Sequence, residues 1–145
     1  FKKIQTTPKT VEVSLQGEYF ISSGIEEPDL IQAVKNALEG SGLNPILDIE
    51  ASEKGESLRQ RIDQIKRAKF GIYDLSASEK MDTYLELGAA LGIGKEVIIV
   101  CKKGFPILEL MKQLDRIEYE NLSDLSEKLR KKICGWRNFL GGWGC

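Results

Sequence analysis

The sequence predicts an α/β fold, a parallel sheet with helices wound on both faces, and three observations carry the prediction. Short apolar runs recur along the chain and stop at small polar or acidic residues. Between them lie longer segments whose apolar residues keep helical spacing. The stretch Phe70–Val100 reads continuously as strand, loop, helix and strand: an apolar run ending at Asp74, a polar loop at Ser76-Ala77-Ser78, a helix containing Gly88, Ala89, Ala90 and Gly92, and the apolar run Val97–Val100. Short apolar strands flanking a helix mark a βαβ unit, whose strands are buried on both faces of a parallel sheet.

The first seventeen residues are polar and Lys/Thr-rich, with Pro8, and read as an arm or linker, although the alternation Val11, Val13, Leu15 would also suit an edge strand. Glu18–Ser23 is the first strand and runs into the loop Ser22-Ser23-Gly24. Pro28 suits the first turn of a helix, where its missing N–H costs nothing. Glu26, Glu27 and Asp29 surround that positive end. Leu30, Ile31, Val34, Ala37 and Leu38 form the buried stripe, and Gly40 and Gly42 close the helix.

Asn44–Ile49 is the second strand, and a polar loop follows. Gly55 or Ser57 caps a helix with the stripe Leu58, Ile62, Ile65, on which Arg59, Arg61, Lys66 and Arg67 are expected to be solvated. The central unit is stopped at Gly94-Lys95. Beyond Val100, Phe105-Pro106 opens a short helix predicted to reach Leu114, and Arg116–Tyr119 is a charged edge strand. Asn121 or Ser123 caps the last helix, with Leu125, Leu129 and Ile133 inward. The basic run Lys128–Lys132 is read as its solvated face. The expected domain spans 18–133, with an arm at 1–17 and a tail at 134–145 carrying Trp136, Phe139, Leu140 and Trp143.

The order β-α-β-α-β-α-β-α-β-α, with right-handed crossovers, gives a doubly wound five-stranded parallel sheet. The flavodoxin-like strand order 2-1-3-4-5 is the simplest arrangement. Ligands in such sheets bind beyond the carboxyl ends of the strands, at the switch point between the first and third. Those ends are Ser22-Ser23-Gly24 and Asp74-Leu75-Ser76, and Glu86 lies in the first turns of the helix that follows.

Bulk properties narrow the chemistry. The 145 residues are 41% hydrophobic and 30% charged, a balance that suits one ordinary globular domain. The net charge of −1 favours neither nucleic acid nor an anionic membrane. The sequence has no histidine, which removes the usual general base and the commonest metal ligand, so catalysis must rest on carboxylates, hydroxyls, thiols or amines. The three cysteines show no metal spacing; Cys101 is read as a core residue, and the chain as reduced, intracellular and cytoplasmic. No apolar run approaches the ~20 residues of a membrane span, and no signal peptide is visible. Starting at Phe1 and ending in Gly-Gly-Trp-Gly-Cys, the sequence is read as a fragment or one domain of something longer. There is no Gly-Lys-Ser/Thr phosphate loop and no Gly-x-Gly-x-x-Gly turn. The first loop lacks the Ser/Thr-rich cradle of a flavin phosphate, so no cofactor and no metal are expected.

A carboxylate beside a small polar loop, with a second acid and hydroxyls, suits cleavage of the C–N glycosidic bond of a nucleoside. The departing base leaves a cation-like sugar that a carboxylate can stabilise or trap covalently. Glu86 would take that role from a surface cleft, where its replacement by Gln should leave stability nearly unchanged. Asp74, Ser76, Ser23, and Asp82 or Asp48 would hold sugar hydroxyls, and the backbone of Ser22-Ser23-Gly24 would meet a phosphate. On spacing alone, Glu86 could equally project to solvent from an amphipathic helix.

The segment Ala68-Lys-Phe-Gly-Ile-Tyr-Asp-Leu-Ser followed by Asp82-Thr-Tyr-Leu-Glu-Leu-Gly-Ala-Ala-Leu-Gly-Ile-Gly-Lys-Glu-Val-Ile resembles the nucleoside 2-deoxyribosyltransferase-like superfamily and the related TIR-like nucleotide-binding domains. The start Tyr19-Phe-Ile-Ser-Ser-Gly is similar to their first strand and loop. The resemblance covers roughly Glu18–Ile133 and implies that Glu86 is the catalytic carboxylate. It implies a small-molecule partner, a nucleoside, a nucleotide or NAD, and cleavage or exchange of its N-glycosidic bond. Asp82 stands before Thr83 where the transferase pattern has glycine, and the tryptophan that often precedes the TIR glutamate is missing. Related domains often build composite sites across subunits, which makes a homodimer plausible by resemblance. The rival expectation is a non-catalytic TIR-like module for nucleotide sensing or self-association.

Overall fold

The structure, a computed structural model, describes residues 17–22, 28–46, 58–76 and 81–138. Strands β1 (Gly17–Ile21), β2 (Leu43–Pro45), β3 (Phe70–Asp74), β4 (Glu96–Lys102) and β5 (Ile117–Tyr119) alternate with helices α1 (Pro28–Ala37), α2 (Leu58–Arg67), α3 (Met81–Ile93) and α4 (Leu122–Asn138). All pairings are parallel and the order is β2-β1-β3-β4-β5, the flavodoxin-like arrangement.

Side chains alternate across the sheet as the period of two requires, and this builds two cores. Tyr19, Ile21, Phe70, Ile72, Ile98 and Val100 face α1 and α4, where Leu30, Val34, Leu125, Leu129 and Ile133 meet them. Phe20, Tyr73, Ile99 and Cys101 face α2 and α3, where Ile65, Leu87 and Ala90 cover them. Each such buried aliphatic side chain contributes on the order of 2 kcal/mol. Central β3 is buried at every position, because both of its edges are paired and both of its faces are covered.

The local signals explain most element ends. Helix α3 closes on Gly94 at φ 91°, a left-handed conformation that glycine adopts without strain. Lys95 N–H then reaches Ala90 C=O at 2.9 Å and Gly94 N–H reaches Leu91 C=O at 3.1 Å, the paired bonds of a Schellman end. Of the two candidate caps for α4, Asn121 serves: its Oδ1 accepts the Asp124 N–H at 2.8 Å. Helix α4 packs on α1, where Ser126 Oγ donates to Ala33 C=O at 2.6 Å and Arg130 to Ala37 C=O at 3.2 Å. In the basic run Lys131 and Lys132 are exposed, but Arg130 is half-buried and caps α1.

Several expectations need correction. The segment predicted as a helix from Phe105 to Leu114 is only a 3-10 turn at Glu109–Gln113. Leu108 is extended there (ψ 140°), and Ile107, Met111 and Leu114 pin the segment to the sheet as an irregular strap. The described part of the second strand ends at Pro45, with Ile46 N–H still bonded to Tyr19 C=O; the rest of that expected strand lies outside the described residues. Helix α4 continues past Ile133 to Asn138, and Trp136 meets Phe70 edge-on with centroids 5.3 Å apart. Cys134 is disulfide-bonded, contrary to the expected reduced chain, whereas Cys101 is free and buried, and burial pushes its thiol pKa up. The expected arm lies almost wholly outside the described residues. Among the described residues, no helix is long and apolar enough to cross a membrane.

Candidate functional site around Glu86

Glu86 does not project to solvent. It is 4% exposed, on the inner side of α3 with Thr83, Leu87 and Ala90. Its carboxylate crosses to the end of β1, where Ser22 Oγ donates to Oε1 at 2.5 Å. Arg61, from α2, grips it with two bonds: Nε to Oε2 at 2.7 Å and an Nη to Oε1 at 3.0 Å. This is the fork geometry that guanidinium and carboxylate groups favour. The same guanidinium lies over the ring of Phe20, 4.9 Å from its centroid, within reach of a cation–π contact. Three elements thus converge on one buried carboxylate at the carboxyl end of β1.

The pairing answers a physical demand. A buried carboxylate without a partner loses its hydration and gains nothing in return. Ser22 and Arg61 together replace that hydration and fix the carboxylate plane.

Below the pair, Tyr73 is fully buried and its ring lies back along β3 over Gly71. A Cβ at Gly71 would stand 2.6 Å from the Tyr73 hydroxyl oxygen, so Phe-Gly-Ile-Tyr needs glycine at its second position for close approach. Burial, and then the charge of Glu86, push the Tyr73 phenol pKa up against the opposing effect of Arg61, so the hydroxyl stays protonated at neutral pH.

Asp74 engages a different set of groups, at the β3–β5 side of the sheet end. Its Oδ1 accepts the Ser76 N–H at 3.0 Å, a local turn that orients the carboxylate. The Tyr119 hydroxyl lies 3.5 and 3.4 Å from its two oxygens. Ser76 Oγ accepts the Lys102 N–H at 2.6 Å and lies 3.5 Å from the Tyr119 hydroxyl. Burial is the main cause that raises the Tyr119 pKa, with Asp74 adding to it, so Tyr119 is also a neutral hydroxyl.

The residues expected to form one cluster therefore divide. Glu86 and Ser22 are in contact, Asp74 and Ser76 are in contact, and Asp82 is exposed on the first turn of α3. Ser23 and Gly24, and likewise Asp48, lie outside the described residues. Arg61 corrects the expectation of a solvated cation. Arg61 precedes the buried Ile65 by four, one turn away on the same side of α2, but Leu58, expected on that stripe, is 50% exposed, so spacing alone did not separate an inward cation from a solvated one. Among the described residues, no three His, Cys, Asp or Glu side chains are grouped to hold a metal ion.

No protein-family model matches the sequence, and no curated protein matches it. Among solved structures, the chain is similar to the Clostridium botulinum CMP N-glycosidase BcmB. The TM-score is 0.61, with 20% identical residues, over 77% of this chain and 97% of that chain. The likeness shows a shared α/β fold.

Proposed function

We propose that this chain binds a nucleoside or nucleotide and cleaves or exchanges its N-glycosidic bond, with Glu86 as the reacting carboxylate. One observation carries the proposal: a buried, oriented carboxylate stands at the carboxyl end of β1, at the switch point where doubly wound sheets take ligands. The fold shared with a structure described as a CMP N-glycosidase supports it.

Among the described residues Oε2 accepts one hydrogen bond and Oε1 two, so Oε2 is the oxygen assigned to the sugar. As the C1′–N bond breaks, its electron pair leaves with the base. Glu86 Oε2 either faces the cationic C1′ or bonds to it as a glycosyl ester, and water or a second base then takes the sugar. Asp74, Ser76 and Asp82 are assigned to sugar hydroxyls, and the backbone of Ser22-Ser23-Gly24 to a phosphate. Whether hydrolysis or transfer dominates depends on which acceptor reaches the sugar.

The test is incubation with deoxynucleosides, nucleoside monophosphates and NAD, with free base read by chromatography. Release by the native chain, and its loss in Glu86→Gln with an unchanged circular dichroism spectrum, are expected. Full turnover by Glu86→Gln would overturn the mechanism. A second reading, a nucleotide-sensing or self-associating module without chemistry, is favoured by the ion pair that occupies Glu86. It predicts saturable binding from the same panel with no base released.

A further inference from the structure

We infer that Arg61 is a latch on Glu86, handed over to the anionic group of an incoming phosphate-bearing sugar, and that this exchange frees the carboxylate to act. The inference rests on the reading of Glu86 as the reacting group and adds a control step to it. A carboxylate gripped at 2.7 and 3.0 Å by a guanidinium presents a dipole rather than a charge. In that state it is a poor counter-ion for a cationic sugar. Permanent pairing and catalysis by Glu86 therefore oppose each other, and Arg61 must leave for the chemistry to proceed.

The structure provides the means. Arg61 is always charged, and its fork fits phosphate as well as carboxylate. A phosphomonoester carries roughly −1.5 to −2 charges at neutral pH against the single charge of Glu86, so it is the stronger competitor. The Arg61 side chain keeps 19% of its surface in solvent while that of Glu86 keeps 5%, so an anion reaches the guanidinium first. Phe20 supports the guanidinium face, 4.9 Å from the ring centroid, and takes no hydrogen bond from its N–H groups. Ser22 remains on Oε1 and keeps the carboxylate in position after the exchange.

The experiment is calorimetric titration with ribose 5-phosphate and with ribose, ligands that have no base to lose, so binding is read apart from turnover. The chains are the native protein, Glu86→Gln, Arg61→Gln and the double variant. Removing the competing carboxylate should tighten ribose 5-phosphate binding about ten-fold, the inverse of a roughly one-in-ten unlatched fraction. The gain should vanish in the double variant, and ribose affinity should change less than about two-fold. A gain that survives without Arg61 would reflect bulk charge alone and would overturn the latch, as would no gain at all or no binding at millimolar ligand. If Glu86→Gln does not fold, Glu86→Asp replaces it; the shorter acid keeps the charge but loosens the grip, and a smaller, Arg61-dependent gain is expected. Neither ligand carries a base, so loss of this exchange and loss of base release are read in separate measurements and are distinguishable.

Discussion

Arg61→Met is the substitution that most directly tests the buried pair. It keeps the apolar stem of the side chain and removes two charge-assisted hydrogen bonds, at 2.7 and 3.0 Å, from a carboxylate that is 4% exposed. Among the described residues, only the Ser22 hydroxyl would then remain on Glu86. Breaking one side of a fully buried pair costs about 3–5 kcal/mol. The partial exposure of Arg61 places the expected cost at the lower end, about 3 kcal/mol, or a fall in Tm of about 10 °C for a chain of this size. The companion variant Arg61→Met/Glu86→Leu removes both charges. It should recover about 2 kcal/mol, with the remainder set by the Ser22 hydroxyl left without an acceptor. Thermal melts followed by circular dichroism at neutral pH give both numbers. If the single variant melts within about 2 °C of the native chain, the pair behaves like a solvent-screened surface contact and the burial argument fails. A double variant less stable than the single one would show that Glu86 does not depend on Arg61. The same geometry revises the expectation of a nearly silent Glu86→Gln: a neutral amide facing Arg61 should cost about 1–3 kcal/mol.

Three further outcomes are expected. Gly71→Ala would drive a methyl group to within 2.6 Å of the Tyr73 hydroxyl oxygen and 2.7 Å of a ring carbon, against a ring that is fully buried. About 2 kcal/mol should be lost, read as a lower Tm with altered near-ultraviolet dichroism; an unshifted melt would mean the ring does not lie over Gly71. Asn121→Ala removes the cap that accepts the Asp124 N–H and should cost about 1 kcal/mol in urea denaturation, whereas Asn121→Ser should restore most of it. The Glu120 N–H, followed by Lys128, holds the Asp124 carboxyl below its ordinary value of 3.8. The folded pKa is thus depressed, so the contribution is complete above 3.8 and disappears as pH falls through the lower folded value. A pH series of melts should show a shallower acid-side decline in Asp124→Asn, and identical slopes would refute this linkage.

Local patterns in the sequence determined the fold to a large extent. The apolar run Tyr19-Phe20-Ile21 of β1, the unbroken apolar β3, helical stripes such as Leu125-Leu129-Ile133, Pro28 at a helix start and Gly94 at a helix end are read from neighbours within a few residues. With right-handed crossovers these signals left one simple strand order, the order observed. The strap at 105–114 was misread because Ile107, Met111 and Leu114 also satisfy helical spacing, while contact with the sheet decided their conformation. The sequence also singled out Glu86, but its surroundings were beyond reach. Ser22 is 64 residues away along the chain and Arg61 is 25, and neither separation leaves a periodic signature. A charge on an amphipathic helix has the same local pattern whether it meets water or a buried counter-ion. Only the docking of α2 and α3 on one face of the sheet decided that Arg61 and Glu86 share a desolvated space, because the energy of ionised groups depends on what surrounds them in three dimensions.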